Sequence, residues 1–113
     1  MRKVGILMPV FSLPSKYGIG TLGKSAYKFI DFLSEAKQDL WQVLPTNPTS
    51  YGDSPYQSFS SFAGNPYFID LEMLCKEKLI TKKECESYPW GDNECYVDYG
   101  VMYESRYALL KKA

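Results

Sequence analysis

The side chains best suited to chemistry lie in one segment, residues 41–66, which reads WQVLPTNPTSYGDSPYQSFSSFAGNP. Its four prolines fix φ and interrupt regular structure, so the segment is predicted to be a long, shaped loop. The candidate binding side chains are Tyr51, Asp53, Ser54, Tyr56 and Gln57. Aromatic faces pack on the C–H surface of a sugar and short polar groups bind its hydroxyls, so this composition is typical of a carbohydrate-binding loop.

Each of these residues also has an ordinary structural interpretation. Tyr51 and Tyr56 could pack on the fold, although the glycine and prolines around them favour projection from it. Asp53 could accept hydrogen bonds from backbone N–H groups, and Ser54 could cap a turn. No second carboxylate lies at an obvious partnering distance, whereas cleavage of a glycosidic bond requires two carboxyl groups. The loop is therefore predicted to bind, and no catalytic residue is assigned.

Two other patterns carry weaker chemical signals. The cysteines at positions 75, 85 and 95 are spaced C-x9-C-x9-C, which matches neither a zinc motif nor a CxxC redox motif, so we interpret them as ordinary reduced thiols. The string GIGTLG, residues 18–23, has the G-x-G-x-x-G form, but no acidic residue closes the second predicted strand, so tight turning explains these glycines better than a nucleotide. No metal or cofactor is expected.

The composition of the 113 residues excludes several classes of protein. Thirteen basic and thirteen acidic residues leave no basic surface for nucleic acid, and no run of 18 apolar residues predicts a membrane span. The start, MRKVGILMPVF, loosely resembles a signal peptide, but Pro9, Pro14 and the missing cleavage site argue against one. We expect a cytoplasmic protein.

The first 45 residues are predicted to form a βαβ unit. Residues 4–10 are an apolar run typical of a strand buried on both faces, and residues 40–44 form a second short strand. Between them, apolar residues from Leu22 to Ala36 recur about every 3.6 positions, which predicts a helix. The strands should be parallel, as in an α/β fold. Trp41 is expected in the core, whereas Gln42 and Asn47 could reach a ligand.

Shorter helices are predicted after the loop. Asp70 should cap a helix with Leu71, Leu74, Cys75 and Leu79 facing inward, and TKKE at residues 81–84 matches a capping box. A terminal helix should carry Tyr99, Tyr103, Tyr107 and Leu110 on one face. Two parallel strands do not make a stable sheet, so we expect further strands from chain beyond residue 113.

Six short motifs together resemble the 4-alpha-glucanotransferases (amylomaltases, or disproportionating enzymes) of glycoside hydrolase family 77. They are SLP at 12–14, YGIG at 17–20, LWQVLP at 40–45, YGDSPYQ at 51–57, AGNP at 63–66 and VDY at 97–99. The resemblance covers nearly the whole chain and is densest over residues 5–70. Lys37, where a glycine usually precedes the second strand, and Thr46, which replaces a common leucine, depart from the pattern.

The resemblance implies the N-terminal portion of a (β/α)8 TIM barrel, incomplete in this chain. Residues 1–45 would be the βαβ unit, 46–70 the substrate-binding loop and 71–113 a helical inserted region. It also implies a transferase of carbohydrate metabolism that moves a 1,4-alpha-glucan segment to the 4-OH of an acceptor glucan or glucose, by a retaining double displacement. The substrates would be maltooligosaccharides, amylose, glycogen or starch.

By motif position, Tyr56 would face the sugar beside the scissile bond, Ser54 would lie near it, and Tyr51 would belong to an outer glucan-contacting surface. The catalytic carboxylates of the family have no counterpart here, so the isolated chain is expected to be inactive. Two alternatives are a non-catalytic glucan-binding fragment and an inactive remnant.

Overall fold

A computed structural model describes residues 2–50, 52–91 and 96–113 of the chain. In chain order the helices and strands are β1 (Gly5–Leu7), α1 (Lys24–Glu35), β2 (Leu40–Gln42), α2 (Leu71–Lys76), α3 (Lys82–Glu86) and α4 (Tyr99–Lys112). Two 3-10 turns, Val10–Ser12 and Pro66–Phe68, precede α1 and α2. The predicted βαβ unit is confirmed. After the loop, α2 and α3 are short, as predicted, whereas α4 has 14 residues and is longer than α1, which has 12. None of the described helices is both long and apolar enough to cross a membrane.

The two strands are parallel, as predicted, and Ile6 lies opposite Trp41. β1 is shorter than the predicted strand. The last hydrogen bond between the two strands runs from Met8 N to Gln42 O at 2.9 Å, because the next residue, Pro9, has no N–H to donate. The expected burial on both faces is wrong for this chain: Leu7 and Leu40 are about half exposed, at 53% and 50%. In the described residues the sheet has two strands, so few side chains are available to cover it.

α1 packs on the sheet through a narrower stripe than its apolar spacing predicts. Ala26 and Leu33 are buried, whereas Ile30 is exposed. The Phe29 ring meets Trp41 edge-on with the ring centroids 5.1 Å apart, and Trp41 Nε1 donates to Met8 O at 2.8 Å. Trp41 is half-buried and packs against the edge of the core, so the core position expected for it is confirmed in part.

Lys37 ends α1 in the left-handed conformation, with φ 55°. Gln38 N donates to Leu33 O and Lys37 N donates to Ser34 O, the bond pair of a Schellman motif. Glycine adopts positive φ at no steric cost, which explains why a glycine is usual at the position of Lys37 in the family that the sequence resembles.

The predicted caps of α2 and α3 are present. Asp70 Oδ2 accepts from Met73 N at 3.0 Å, and Thr81 and Glu84 form a reciprocal capping box. Of the inward positions predicted for α2, Leu71 is buried, but Leu79 is 48% exposed and that prediction is wrong. Lys78, with φ 61°, reverses the chain after α2, so the helical spacing ends before Leu79.

α4 joins two clusters of buried side chains. Met102 belongs to the cluster of Val10, Leu13, Ile19, Ala26, Tyr67 and Phe68, and Leu109 to the cluster of Tyr17, Leu71, Ile80 and Cys85. Tyr103 and Tyr107 share a face, as predicted, with ring centroids 5.4 Å apart. Tyr103 is nevertheless 67% exposed, and the buried face of the helix runs through Met102, Arg106 and Leu109.

Candidate functional site

Residues 46–65, here called the Tyr56 loop, are closed at their base by two sets of hydrogen bonds. Asn65 N donates to Thr46 O at 2.8 Å, and Asn47 Nδ2 donates to Ser61 O and Ala63 O at 3.0 Å each. Asn47, predicted to reach a ligand, therefore uses its amide donors to hold the loop. Gln42 is exposed at the carboxyl end of β2, where its backbone oxygen completes the ladder.

The tip of the loop is shaped by local bonds. Asp53 N donates to Ser50 O at 3.0 Å across Gly52, which has φ 83°, and Asp53 itself has φ 55°. Ser50 binds Gln57 O through both its N–H, at 3.1 Å, and its hydroxyl, at 2.9 Å. Ser54 Oγ accepts from Tyr56 N at 3.3 Å, the turn-capping role open to a serine before proline.

The aromatic side chains of the loop project outward. Tyr56 is 71% exposed, Phe59 74% and Phe62 fully exposed. Tyr51 lies outside the described residues. Sequence reasoning missed the two phenylalanines, although their serine neighbours, in SFSSF, are a signal that the stretch cannot form a core strand. The loop thus presents a ring from Tyr56 with two further apolar rings nearby in sequence.

Asp53 turns toward the protein rather than toward solvent. It is half-buried, its carboxylate lies 3.5 Å from Thr49 Oγ1, and it lines a small cavity with Phe68 and Tyr99. Burial first, and then the charge of Asp53, raise the pKa of Tyr99. An inward carboxylate without a second carboxyl group in the same cavity serves the packing of the loop and does not form a cleaving pair.

Residues 8–23 are here called the β1–α1 segment, and residues 11–21 of it line a cleft of about 1020 Å³ that reaches α2 and Val97. Its glycines are required by close contacts. A Cβ at Gly20 would overlap Val10 O and come within 2.7 Å of Leu13 N, and a Cβ at Gly23 would lie 2.6 Å from both carboxylate oxygens of Asp70. Gly18 has φ 82°. These contacts support the tight-turn interpretation of GIGTLG.

Arg106 connects the β1–α1 segment to the chain that leaves the Tyr56 loop. Its side chain is fully buried; Nη1 donates to Tyr17 O at 3.2 Å and Nη2 donates to Ile69 O. The guanidinium also lies over Trp90, 6.0 Å from the ring centroid. Burial lowers the pKa of Arg106 to about 10.

Sequence reasoning missed Arg106. The available signal was its position four residues after Met102 and three before Leu109, on the apolar side of α4. A buried arginine in that stripe indicates a polar target inside the fold, here two backbone carbonyls.

In the part of the chain that the structure describes, no three acidic, histidine or cysteine side chains are grouped to hold a metal ion. What the arrangement can do is bind: an exposed phenol ring, exposed backbone and short hydroxyls suit a polyhydroxylated ligand.

Comparison with known proteins agrees on one family. The family model described as 4-alpha-glucanotransferase matches residues 8–113. The chain is 55% identical over 106 residues to a 4-alpha-glucanotransferase from Clostridium butyricum, covering 94% of this chain and 22% of that protein. It is 52% identical over 112 residues to one from Streptococcus pneumoniae, again covering 22% of the relative. The chain thus spans about a fifth of the length of the curated relatives it matches.

A solved structure gives the same result for the fold. The amylomaltase from Streptococcus agalactiae, in complex with acarbose, superimposes with a TM-score of 0.93 at 45% identity, covering 98% of this chain and 23% of that one. The mixed α/β arrangement of this chain therefore recurs within a larger enzyme.

Proposed function

This chain belongs to the 4-alpha-glucanotransferase family, glycoside hydrolase family 77, and on that premise we propose that it is the N-terminal part of a 4-alpha-glucanotransferase. The enzyme transfers a 1,4-alpha-glucan segment to the 4-OH of an acceptor glucan or glucose, with retention. The observation that carries the proposal is the YGDSPYQ loop, which holds Tyr56 71% exposed on a base closed by hydrogen bonds. The structural neighbour was solved with acarbose, which agrees with a sugar ligand.

Tyr51, Ser54 and Tyr56 are proposed to contact the glucan. The ring of Tyr56 offers a flat face for the C–H surface of a glucose unit and a phenol oxygen for a hydroxyl. Ser54 Oγ accepts one bond from Tyr56 N and keeps its own proton to donate. Because this bond ties the serine to the tyrosine, the two groups would approach the sugar as one unit. Tyr51 is proposed for an outer contact from its motif position.

The chemical step is proposed to depend on residues outside this chain. Retaining transfer needs a carboxylate nucleophile and a carboxylic acid about 5 Å apart, across the bond that breaks. Asp53 faces inward beside Tyr99 and does not supply one of them. The described residues therefore bind and orient glucan, and the isolated chain should release no glucose from maltotriose.

The proposed architecture is a (β/α)8 barrel in which residues 1–45 supply the first βαβ unit, 46–70 the substrate loop and 71–113 an inserted helical region. Two observations support it. β1 and β2 are parallel neighbours, and both long loops leave from their carboxyl ends, where barrel enzymes place their sites. The half-exposed Leu7 and Leu40 would be covered by further strands.

The enzyme is favoured over a separate glucan-binding fragment or an inactive remnant, because the relatives at 52–55% identity are named glucanotransferases. The proposed substrates are maltooligosaccharides, amylose, glycogen or starch, with glucose as an acceptor. The cytoplasm is the proposed location, and cell fractionation with an antibody to the protein would test it.

The deciding experiment uses Tyr56→Ala in the full-length protein, with Tyr27→Ala as its matched control. Tyr27 is 60% exposed on α1 and is not part of the Tyr56 loop, so both changes remove an exposed tyrosine. Burying an aromatic side chain contributes about 1.5–3 kcal/mol, so Tyr56→Ala should lower transfer from maltotriose roughly 10- to 100-fold while the unfolding midpoint is unchanged.

Tyr27→Ala should retain wild-type turnover. A wild-type protein that transfers no glucan would overturn the proposed function itself. If the wild-type protein is active and Tyr56→Ala turns over normally, Tyr56 does not contact the glucan and its role is structural.

A further inference from the structure

Two cysteine side chains from neighbouring helices meet inside the helical region. Cys75 Sγ and Cys85 Sγ lie 3.6 Å apart, although ten residues separate them along the chain. Cys75 is on the last turn of α2 and Cys85 is on α3. A disulfide requires the sulfurs to be about 2.0 Å apart, so rotation about the side-chain bonds must bring them together by about 1.6 Å.

The two thiols differ in access. Cys75 is half-buried, whereas Cys85 is fully buried against Tyr17, Leu71 and Leu109. A small oxidant therefore reaches Cys75 first, and Cys85 is held where it can attack the oxidised sulfur. Burial first, and then the neighbouring Cys75, raise the pKa of the Cys85 thiol to about 12, so Cys85 keeps its proton while Cys75 reacts with the oxidant.

We propose that Cys75 and Cys85 form a reversible intrachain disulfide when the protein meets a hydroperoxide. The Cys75 thiol loses its proton and attacks the peroxide as a thiolate, which breaks the O–O bond. With hydrogen peroxide the products are a sulfenic acid and hydroxide, and the hydroxide takes up the thiol's proton to become one water. The Cys85 sulfur then attacks the Cys75 sulfur, its proton leaving with the hydroxyl as a second water. Two thiols lose two electrons, and the peroxide gains them.

The disulfide would tie α2 to α3 and reach the rest of the core through Trp90. Trp90 Nε1 donates to Cys85 O at 2.8 Å, and the Trp90 ring meets Tyr17 edge-on with the centroids 5.6 Å apart. Movement of Cys85 is thus transmitted to an indole that also lies beside Arg106. The fluorescence of Trp90 becomes a second reporter of the reaction.

The first test treats the reduced protein with hydrogen peroxide and counts thiols after denaturation. The expected number of free thiols falls by two with a mass loss of 2 Da, and dithiothreitol restores both values. The oxidised protein should unfold at a midpoint higher by roughly 5 °C or more, because the cross-link restricts the unfolded chain. Tryptophan emission, to which Trp90 contributes, should change in parallel.

Serine variants identify the partners. Trypsin leaves Cys85 and Cys95 on one peptide, residues 84–106, so the cross-link is mapped in Cys95→Ser, which should still lose 2 Da. Cys85→Ser removes the resolving thiol, and a sulfenic acid at Cys75 should then be trapped by dimedone. Cys75→Ser should form no sulfenic acid at position 85.

An unchanged number of free thiols after peroxide treatment would overturn the proposal, as would a cross-link that disappears in Cys95→Ser. The wild-type and Cys95→Ser measurements suffice for this decision if the other two variants do not fold. The glucanotransferase assay plays no part in it, so the disulfide and the proposed function stand or fall separately.

Discussion

The β1–α1 segment and the Tyr56 loop both follow a strand of the same two-stranded sheet, both are rich in glycine and proline, and they differ in what holds them. The first packs into the core through Leu13, Tyr17 and Ile19, which are no more than 6% exposed. The second holds itself by bonds within its own 20 residues and exposes Tyr56 and Phe62. The difference separates a loop that the core requires from one that is free to meet a ligand.

The glycines of the two loops differ in the same way, in how closely the rest of the fold approaches them. At Gly20 a Cβ would collide with backbone on two sides, whereas at Gly64 it would meet nothing within 4 Å. Similar composition therefore hides two reasons for glycine: close approach of backbone in one loop and an open, turning chain in the other.

The largest expected effect comes from exchanging these glycines for alanine. Gly20→Ala must displace Val10 or Leu13 backbone, which we expect to cost several kcal/mol, roughly 3 or more, and to leave little folded protein. Gly64→Ala is the matched control and should change the free energy of unfolding by about 0.5 kcal/mol or less. Urea denaturation of both variants measures their free energies of unfolding. Equal values would contradict the proposed difference between the two loops.

Arg106→Ala should give the next largest effect, since it removes the donors that serve Tyr17 O and Ile69 O. Hydrogen bonds from a charged group contribute about 1.5–3 kcal/mol each and the cavity adds to the loss, so we expect about 3 kcal/mol of destabilisation. Lys111→Ala, an exposed cation on the same helix, is the control and should cost about 0.5 kcal/mol or less. A loss no larger than that of Lys111→Ala would show that the two carbonyls need no donor.

Alkaline pH should lower the free energy of unfolding gradually, through buried tyrosines in the core. Burial raises the pKa of Tyr17 and of Tyr67 from 10.0 to about 12. Their contribution to stability is complete below pH 10 and is lost as the pH rises toward 12, because the unfolded chain releases these protons first. The Cys85 thiol, whose pKa is raised from 9.0 to about 12, acts in the same direction as the phenols, whereas Arg106, whose pKa is lowered to about 10, acts in the opposite direction. The two phenols and the thiol together outweigh the one guanidinium.

We therefore expect the free energy of unfolding to fall by roughly 2 kcal/mol or more between pH 10 and pH 12, with a shallower fall in Tyr17→Phe. Urea midpoints across this range provide the measurement. An identical slope in Tyr17→Phe would place the titrating groups elsewhere.

The features predictable from sequence were those set by neighbouring residues. Asp70 and the Thr81–Glu84 capping box appear as predicted, because a cap needs only a side chain and N–H groups within one turn. The parallel pairing of β1 and β2 likewise follows from the short βαβ connection. In the Tyr56 loop, the exposure of Tyr56 agrees with its glycine and proline neighbours.

The features that escaped prediction depend on residues distant in sequence. Arg106 is buried because its targets, Tyr17 O and Ile69 O, are 89 and 37 residues away. Leu79 was expected inside, yet Ile80 is buried instead, since one left-handed residue changes which side chain faces the core. The contact between Cys75 and Cys85 likewise depends on how α2 packs against α3, which C-x9-C spacing does not contain.

The bond between Thr46 O and Asn65 N has a consequence for how such a loop can change over evolution. Closing a loop costs free energy that grows only with the logarithm of its length, so adding four residues between these two positions costs about 0.2 kcal/mol. Because the base stays pinned, an insertion or deletion near Phe59 or Phe62 is absorbed locally and does not shift the sheet register. The loop is thus a place where ligand preference can diversify by length variation while the surrounding fold is inherited unchanged.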